Sequence, residues 1–339
     1  MKDRSIANFD LLPEGMSQPR SQAVASSRTA SLDLTRFIMA LMVVGAHSRA
    51  FVDISYSLYF YTYVGGWARI IMPLFLMISG FFFVVQVRRG VGRWAWRLLV
   101  LHLIWSTIYI GAWMPLDNFS LKKAVFWYFF GAGHLWFMPA LLGGGLMLYT
   151  VRHWSSARLL LAAGGLYGIG GALQYGMNVT IDFATVAHHN ALYAVPRNFL
   201  FYGFPFVTLG YVLARDRVLA RVQEMLKPGI VVLVLVLLFA ENWLKFHWMP
   251  HDGVLEINLM NFVLAPIIFA WLMTLHGVSA AAWMAPVSAA IYFVHALVLL
   301  LLEPVLGLSP TPLTLVTIVL SFAIGMVLVK VNNKPLPLV

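Results

Sequence analysis

The stretch LDLTRFIMALMVVGAHSRAF, residues 32–51, has the apolar length of a membrane-spanning helix, yet it contains Asp33, Arg36 and His47. Similar apolar runs recur along the 339-residue chain, in which 61% of the residues are hydrophobic and 11% are charged. The mean hydropathy is +0.82. Because a helix needs about 20 apolar residues to cross the hydrocarbon, the sequence predicts an all-α integral membrane protein with about ten transmembrane helices.

The predicted spans leave a short segment at each end of the chain. They cover residues 32–52, 67–87, 98–115, 135–151, 159–175, 198–214, 229–246, 259–275, 283–302 and 312–329. Residues 1–31 are polar and lack the pattern of a signal peptide, so they predict a disordered cytoplasmic tail. Residues 32–330 form the predicted membrane domain, and residues 331–339 a short cytoplasmic tail.

The basic residues are distributed unevenly between the two sides of the predicted membrane. With the N-terminus inside, the inner segments carry sixteen Lys and Arg residues, and the outer segments carry only Lys122, Lys123 and Arg197. This bias predicts that both termini are cytoplasmic. The bias also accounts for the net charge of +10, because the inner basic residues would contact membrane lipids. No nucleic-acid partner is needed to explain the charge.

Arg36 and His47 lie on one face of the first predicted helix. They are eleven residues apart, which in an α-helix is a rotation of about 20° and a rise of about 16 Å. Each polar group could find a partner separately. The Arg36 side chain could extend to the membrane interface, and His47 could hydrogen-bond to a neighbouring helix. Since ionisable groups inside a membrane are costly, two on one face favour a functional cavity.

Several motifs, in the order in which they occur, resemble the membrane acyltransferase 3 family. LDLTRFIMALMVVGAH resembles its first-helix signature, in which an Asp, an Arg and a His correspond to Asp33, Arg36 and His47. GWARIIMPLFLMISGFFF resembles its second span, and the basic RRGVGRWAWRLL follows directly. HLWFMPALL, FPFVTLGYVLAR and IYFVHALVL resemble later segments of the family, so the resemblance covers about residues 31–329.

The resemblance implies acyl transfer from a cytoplasmic acyl-CoA, usually acetyl-CoA, to a hydroxyl of a cell-surface or exported polysaccharide or of its lipid-linked precursor. It also implies a bacterial inner-membrane location. We expect His47, Arg36 and Asp33 to form the catalytic group, with His47 as the base or as a transient acyl carrier. Arg36 would bind the CoA pyrophosphate or stabilise the oxyanion, and the sequence does not choose between these roles.

Further candidate residues surround these three. For donor binding we expect Arg36 together with Arg93 and Arg97, whose cluster is also explained by positive-inside bias. For the acceptor we expect a set that depends mostly on the resemblance: His134, Trp136, Tyr292 and His295. We add Arg69, whose charge near the outer end of the second span would contact either the acceptor or a carboxylate partner.

The sequence leaves several alternatives open. It contains no cysteine and no recognised metal motif, so we expect neither a thiolate nucleophile nor a metal. The acyl group, O- or N-transfer and the oligomeric state stay undecided. The alternative function is a secondary transporter or exporter that uses Arg36, His47, Arg69 and Glu241 as a proton and substrate pathway. Glu241 has a simpler explanation as an i,i+4 partner of Lys245.

Overall fold

The computed structural model describes residues 19–114, 119–183, 185, 189–224, 226–275 and 279–331, and these residues form α-helices without a strand. Helices α1 to α7 are Pro19–His47, Tyr56–Tyr59, Ile71–Arg89, Val91–Ile108, Ile110–Trp113, Leu121–Phe130 and Phe137–Val151. Helices α8 to α14 are Ser156–Thr180, Phe204–Arg215, Leu219–Glu224, Pro228–Trp248, Asn261–Leu272, Met284–Leu306 and Pro310–Val331.

Short helical turns of other types lead directly into three of these helices. The 3₁₀ turns Trp67–Ile70 and Gly133–Trp136 precede α3 and α7, and the π-helical turn Phe199–Gly203 precedes α9. Such turns are frequent at helix ends and at functional sites. They place Arg69, His134 and Trp136 at helix entrances, where the side chains are not confined to a helix face.

The predicted class of an all-α membrane protein is confirmed. Within the described part of the chain, seven helical stretches are long and apolar enough to span a membrane: Ala30–His47, Tyr56–Arg89, Gly133–Val151, Ser156–Thr180, Pro228–Trp248, Met284–Leu306 and Pro310–Val331. Two shorter apolar helical stretches are Phe199–Arg215 and Asn261–Leu272. Each predicted span overlaps a helix. The total of about ten spans and the cytoplasmic termini stay predictions.

The first helix has different ends from the predicted span. It begins at Pro19 and stops at His47, where the prediction was residues 32–52. It stops because the turn that follows puts Arg49 and Phe51 at φ values of 58° and 76°, in the left-handed region that a right-handed helix cannot contain. Of the predicted tails at residues 1–31 and 331–339, residues 1–18 and 332–339 lie outside the described part of the chain.

Close backbone approach holds the central helices together. Helix α3 packs most extensively against α9, and α13 packs against α14 and α1. A Cβ at Gly80 would overlap the Val207 carbonyl, and a Cβ at Gly210 would overlap the Met77 carbonyl. Because small residues allow membrane helices to approach closely, these two glycines determine the spacing between α3 and α9.

The connection between α11 and α12 is buried although it has no regular structure. Gln174 of α8 accepts hydrogen bonds from the backbone N–H groups of Glu256 and Ile257, at 2.7 and 2.6 Å. Asn178, one turn later, accepts from the Val254 N–H at 2.9 Å and donates to its carbonyl at 2.7 Å. These amides replace the backbone partners that buried peptide groups need, and they fix the position of Glu256.

The tight contact between α3 and α9 predicts that Gly210→Ala destabilises the protein. The added methyl group must push the two helices apart, at a cost of about 1–3 kcal/mol. The midpoint of thermal unfolding in detergent should therefore fall. Gly165→Ala is the matched control, because a Cβ at this position in α8 meets no atom within 4 Å. Equal midpoints for the two variants would contradict the predicted packing.

Candidate active site

A cavity of about 230 Å³ lies at the C-terminal end of α1, and we call it the His47 cavity. Four of the five predicted acceptor residues line it together with His47: Arg69, His134, Trp136 and Tyr292. The remainder of its wall is formed by Val43, Ala46, Tyr59, Tyr63, Val64, Ala68, Ile71, Met72, Arg197, Tyr202 and Glu256. The structure thus brings together residues that are spread over most of the chain.

His47 is held at this cavity by the turn that follows it. The hydroxyls of Ser48 and Thr314 are 2.5 Å apart, and the Phe51 N–H donates to the Thr311 hydroxyl at 2.9 Å. The turn is therefore tied to the first residues of α14. His47 is the last residue of α1 and stays accessible in the cavity, so its ring nitrogens can meet a substrate.

Two buried histidines contact the His47 ring. The ring centroid of His295 is 5.1 Å from that of His47, and the His134 centroid is 6.0 Å away. His295 Nδ1 donates to the Ile291 carbonyl at 3.0 Å, and its Nε2 has no hydrogen-bond partner. His295 does not line the cavity and contacts His47 instead, so its predicted contact with the acceptor could only be indirect. Over the described residues, no group of three His, Asp or Glu side chains is placed to hold a metal ion.

An ionic cluster forms another part of the cavity wall. Glu256 accepts from Arg69 Nη1 at 2.5 Å and from Arg197 Nη2, and its side chain is only 4% exposed. Burial alone would raise the pKa of the Glu256 carboxyl, but the nearby Arg197 and Arg69 guanidiniums outweigh burial and hold that pKa well below its usual range. Glu256 is therefore ionised, and the cluster has a net charge of one positive unit beside the cavity.

Arg197 and Glu256 are functional candidates that the sequence reasoning missed. The sequence assigns both residues to outer loops, where their charges bear only on the predicted orientation of the chain in the membrane. The signal that was available is that both lie in long connections rich in aromatic residues and histidine. No local pattern pairs either of them with Arg69, which is 187 residues from Glu256.

A second cavity, of about 670 Å³, lies beside Arg36 and Arg97, and we call it the Arg36 cavity. Arg36 donates to Asp33 at 3.0 Å, and its guanidinium lies 5.4 Å from the centre of the Phe82 ring. Arg93, the third predicted donor residue, is exposed, does not line this cavity and donates to the Arg89 carbonyl at 3.2 Å. The structure thus brings Arg97, but not Arg93, to the cavity of Arg36.

The two cavities adjoin along α1 and α3. Their linings share two residues, Met72 and Tyr292. Arg36 and His47 are on the same helix, separated by an axial rise of about 16 Å. A cationic cavity and a histidine-containing cavity therefore lie next to each other along one side of the first helix.

Glu241 belongs to neither lining. It lies 3.5 Å from Lys245, as its sequence spacing predicted. It also accepts from the backbone N–H groups of Leu259 and Met260, at 2.6 and 3.0 Å. These bonds hold the α11–α12 connection in place. This structural role accounts for Glu241 without the proton pathway of the transporter hypothesis.

The fold and the site together define a multi-pass α-helical membrane protein with a polar site buried among its helices. A family model described as an acyltransferase domain, that of the acyltransferase 3 family, matches residues 29–330. The chain belongs to this family. The resemblance carried by Asp33, Arg36 and His47 is confirmed at the level of the family.

Comparison with curated proteins finds a serine/alanine racemase of Enterococcus gallinarum. The two are 27% identical over 271 residues, which is 71% of this chain and 37% of the racemase. The chain thus spans little more than a third of that relative's length. No solved structure matches the chain.

The ionic cluster predicts that Glu256→Ala is strongly destabilising. Removing the buried carboxylate leaves two half-buried guanidiniums beside each other, and breaking a buried ion pair in this way costs about 3–5 kcal/mol. The midpoint of thermal unfolding in detergent should fall markedly. The control is Glu303→Ala, whose pair with Arg49 has side chains 53% and 59% exposed. Exposed pairs contribute little, so a fall as large as that of Glu256→Ala would contradict the prediction.

Proposed function

We propose that this protein is a membrane acyltransferase that moves a short acyl group, by preference acetyl, from cytoplasmic acyl-CoA to a hydroxyl of a cell-surface or exported polysaccharide or its lipid-linked precursor. The observation that supports the proposal most directly is the pair of adjoining cavities, one containing Arg36 and Arg97 and the other containing His47. This arrangement suits a donor whose anionic end and reactive end are far apart.

The Arg36 cavity would hold the donor. CoA has phosphate groups at one end and a thioester at the other, joined by a long and thin pantetheine arm. Arg36 and Arg97 supply two guanidiniums, which bind phosphate oxygens with paired hydrogen bonds. Asp33 bonds Arg36 at 3.0 Å and so orients it toward the cavity. With its phosphates held there, the donor would extend its arm along α1 toward His47.

The His47 cavity would carry out the transfer. His47 takes the proton of the acceptor hydroxyl as the hydroxyl oxygen attacks the thioester carbonyl. A C–O bond forms and the C–S bond breaks, so that the products are the acyl ester and CoA, whose thiolate receives the proton from His47. The positive charge of the Arg69, Glu256 and Arg197 cluster favours the oxyanion that develops during the attack.

The same cavity suits a sugar acceptor. Trp136, Tyr59 and Tyr63 line it, and aromatic faces stack on the C–H groups of sugar rings. Arg69, His134 and Tyr292 add polar groups that could orient hydroxyls. The site would lie toward the outer side of the membrane, because α1 begins on the predicted cytoplasmic side and ends at His47. The family resemblance supports a bacterial inner membrane.

The first test is CoA release from acetyl-CoA by the purified protein in detergent, with and without a glycan acceptor. His47→Ala should bind acetyl-CoA as the native protein does and lose release on the order of 10²–10⁴-fold, because general base catalysis contributes about that much. His153→Ala is the control, since His153 is exposed and lines neither cavity.

Three other results would each be informative. Equal release by the native protein and His47→Ala would mean that His47 is not the base. Binding of acetyl-CoA without release by the native protein would mean that the donor or the acceptor class is wrong. If the native protein does not bind acetyl-CoA, the transporter hypothesis becomes the stronger one, and its test is flux of candidate substrates in proteoliposomes.

Substitutions at two neighbouring arginines should affect donor binding differently. Arg97→Ala removes a cation from the Arg36 cavity, and the dissociation constant for acetyl-CoA should rise on the order of tenfold, because hydrogen bonds to charged groups contribute about 1.5–3 kcal/mol. Arg93→Ala removes an equal charge one turn away, outside the lining, and should have little effect. Equal effects would indicate a general attraction of the basic surface for CoA, and would argue against a defined site.

A further inference from the structure

The boundary between the two cavities is formed by two side chains from different helices. Met72 comes from the first turn of α3, and Tyr292 from the middle of α13. These are the residues that the described linings of the His47 cavity and the Arg36 cavity have in common. Both side chains therefore face each cavity, and a molecule that crosses at this boundary passes beside both.

Tyr292 is a fixed side of this boundary. Its hydroxyl donates to the His134 carbonyl at 2.6 Å. Its ring packs edge-on against the rings of His134 and Phe137, with centroid distances of 5.4 and 5.7 Å. A buried ring that is held at its hydroxyl and on its faces cannot move without breaking these contacts, so its position is set by the bundle.

Met72 is the adjustable side. It is half-buried, packs at the margin of the central core and directly precedes Pro73. A methionine side chain has three rotatable bonds and a soft thioether, which lets it fill space of irregular shape. The width of the boundary therefore depends on the volume of this side chain more than on that of Tyr292.

We propose that Met72 and Tyr292 form the aperture through which the acyl thioester reaches His47, and that Met72 limits the length of the acyl chain. This inference rests on the proposed function. The thioester carbon must lie near His47 while the phosphates stay near Arg36, so the acyl group has to be housed at the aperture or just beyond it. The space there is small, since the His47 cavity measures about 230 Å³ and Met72 lines it too.

The physical reason for a length limit is the density of the surroundings. Interior side chains are close-packed and give way little, so an added methylene without space forces the thioester out of position. Discrimination by one methylene in an apolar pocket amounts to about 10–200-fold. Acetyl needs the least space, whereas each longer acyl chain must displace the Met72 side chain.

The test compares acyl-CoA donors of increasing length on three proteins: the native protein, Met72→Ala and Met77→Ala. CoA release is measured with acetyl-, butyryl- and hexanoyl-CoA, and the readout is the ratio of kcat/KM for hexanoyl-CoA to that for acetyl-CoA. Met77→Ala is the matched control, because Met77 is on the same helix, is fully buried and lines neither cavity. A ratio does not change when a variant merely lowers the amount of folded enzyme.

We expect the ratio to rise on the order of tenfold in Met72→Ala and to stay unchanged in Met77→Ala. Met72→Phe, which narrows the aperture, should lower the ratio below the native value. If Met72→Ala does not fold, the smaller truncation Met72→Val is measured instead, and a smaller rise in the ratio is expected.

An unchanged ratio in a folded Met72 variant that still uses acetyl-CoA would overturn the inference and leave the proposed function intact. A ratio that rises equally in Met77→Ala would also overturn it, because the effect would then come from general loosening of α3. If the native protein releases CoA from none of the donors, the proposed function itself fails. The two kinds of failure are therefore distinguishable.

Discussion

Ionised side chains inside an apolar bundle need partners of opposite charge, and one buried carboxylate pairs with cations from two other parts of the chain. Glu256 lies between α11 and α12, Arg69 precedes α3, and Arg197 lies before α9. None of these charges can stay unpaired in such surroundings, because the desolvation cost of an isolated ion is several kcal/mol. Their pairing therefore holds three connections together around the His47 cavity.

The irregular segments of the backbone share one location, the wall of the His47 cavity. A regular transmembrane helix satisfies its own peptide groups, and non-helical backbone at that depth is tolerated only where protein or a cavity surrounds it. Here the 3₁₀ turns before α3 and α7 and the buried connection after α11 all border the His47 cavity. Gln174 and Asn178 supply the missing partners for that connection. Irregular backbone and polar side chains are thus concentrated at the site.

The first helix relates the two cavities to each other. Arg36 and His47 lie on one face of it, so an anionic group and a reactive centre can be held on the same side at a set separation. Met72 makes one side of the boundary between the two cavities apolar. This division suits the proposed chemistry, because charge is bound where cations are available and transfer takes place among aromatic and histidine side chains.

The amino-acid sequence by itself determined the class of the protein, the polar face of α1 and the family, because hydropathy, helical periodicity and short motifs are local properties of a chain. It also indicated His134, Trp136 and Tyr292 as acceptor-binding candidates through the resemblance, and Arg69 through its charge near the end of a span. Only the tertiary structure decided that α1 ends at His47, that Arg97 and not Arg93 shares a cavity with Arg36, and that Glu256 joins Arg69 to Arg197. These features depend on contacts between residues as far apart as 187 positions, which no local pattern encodes.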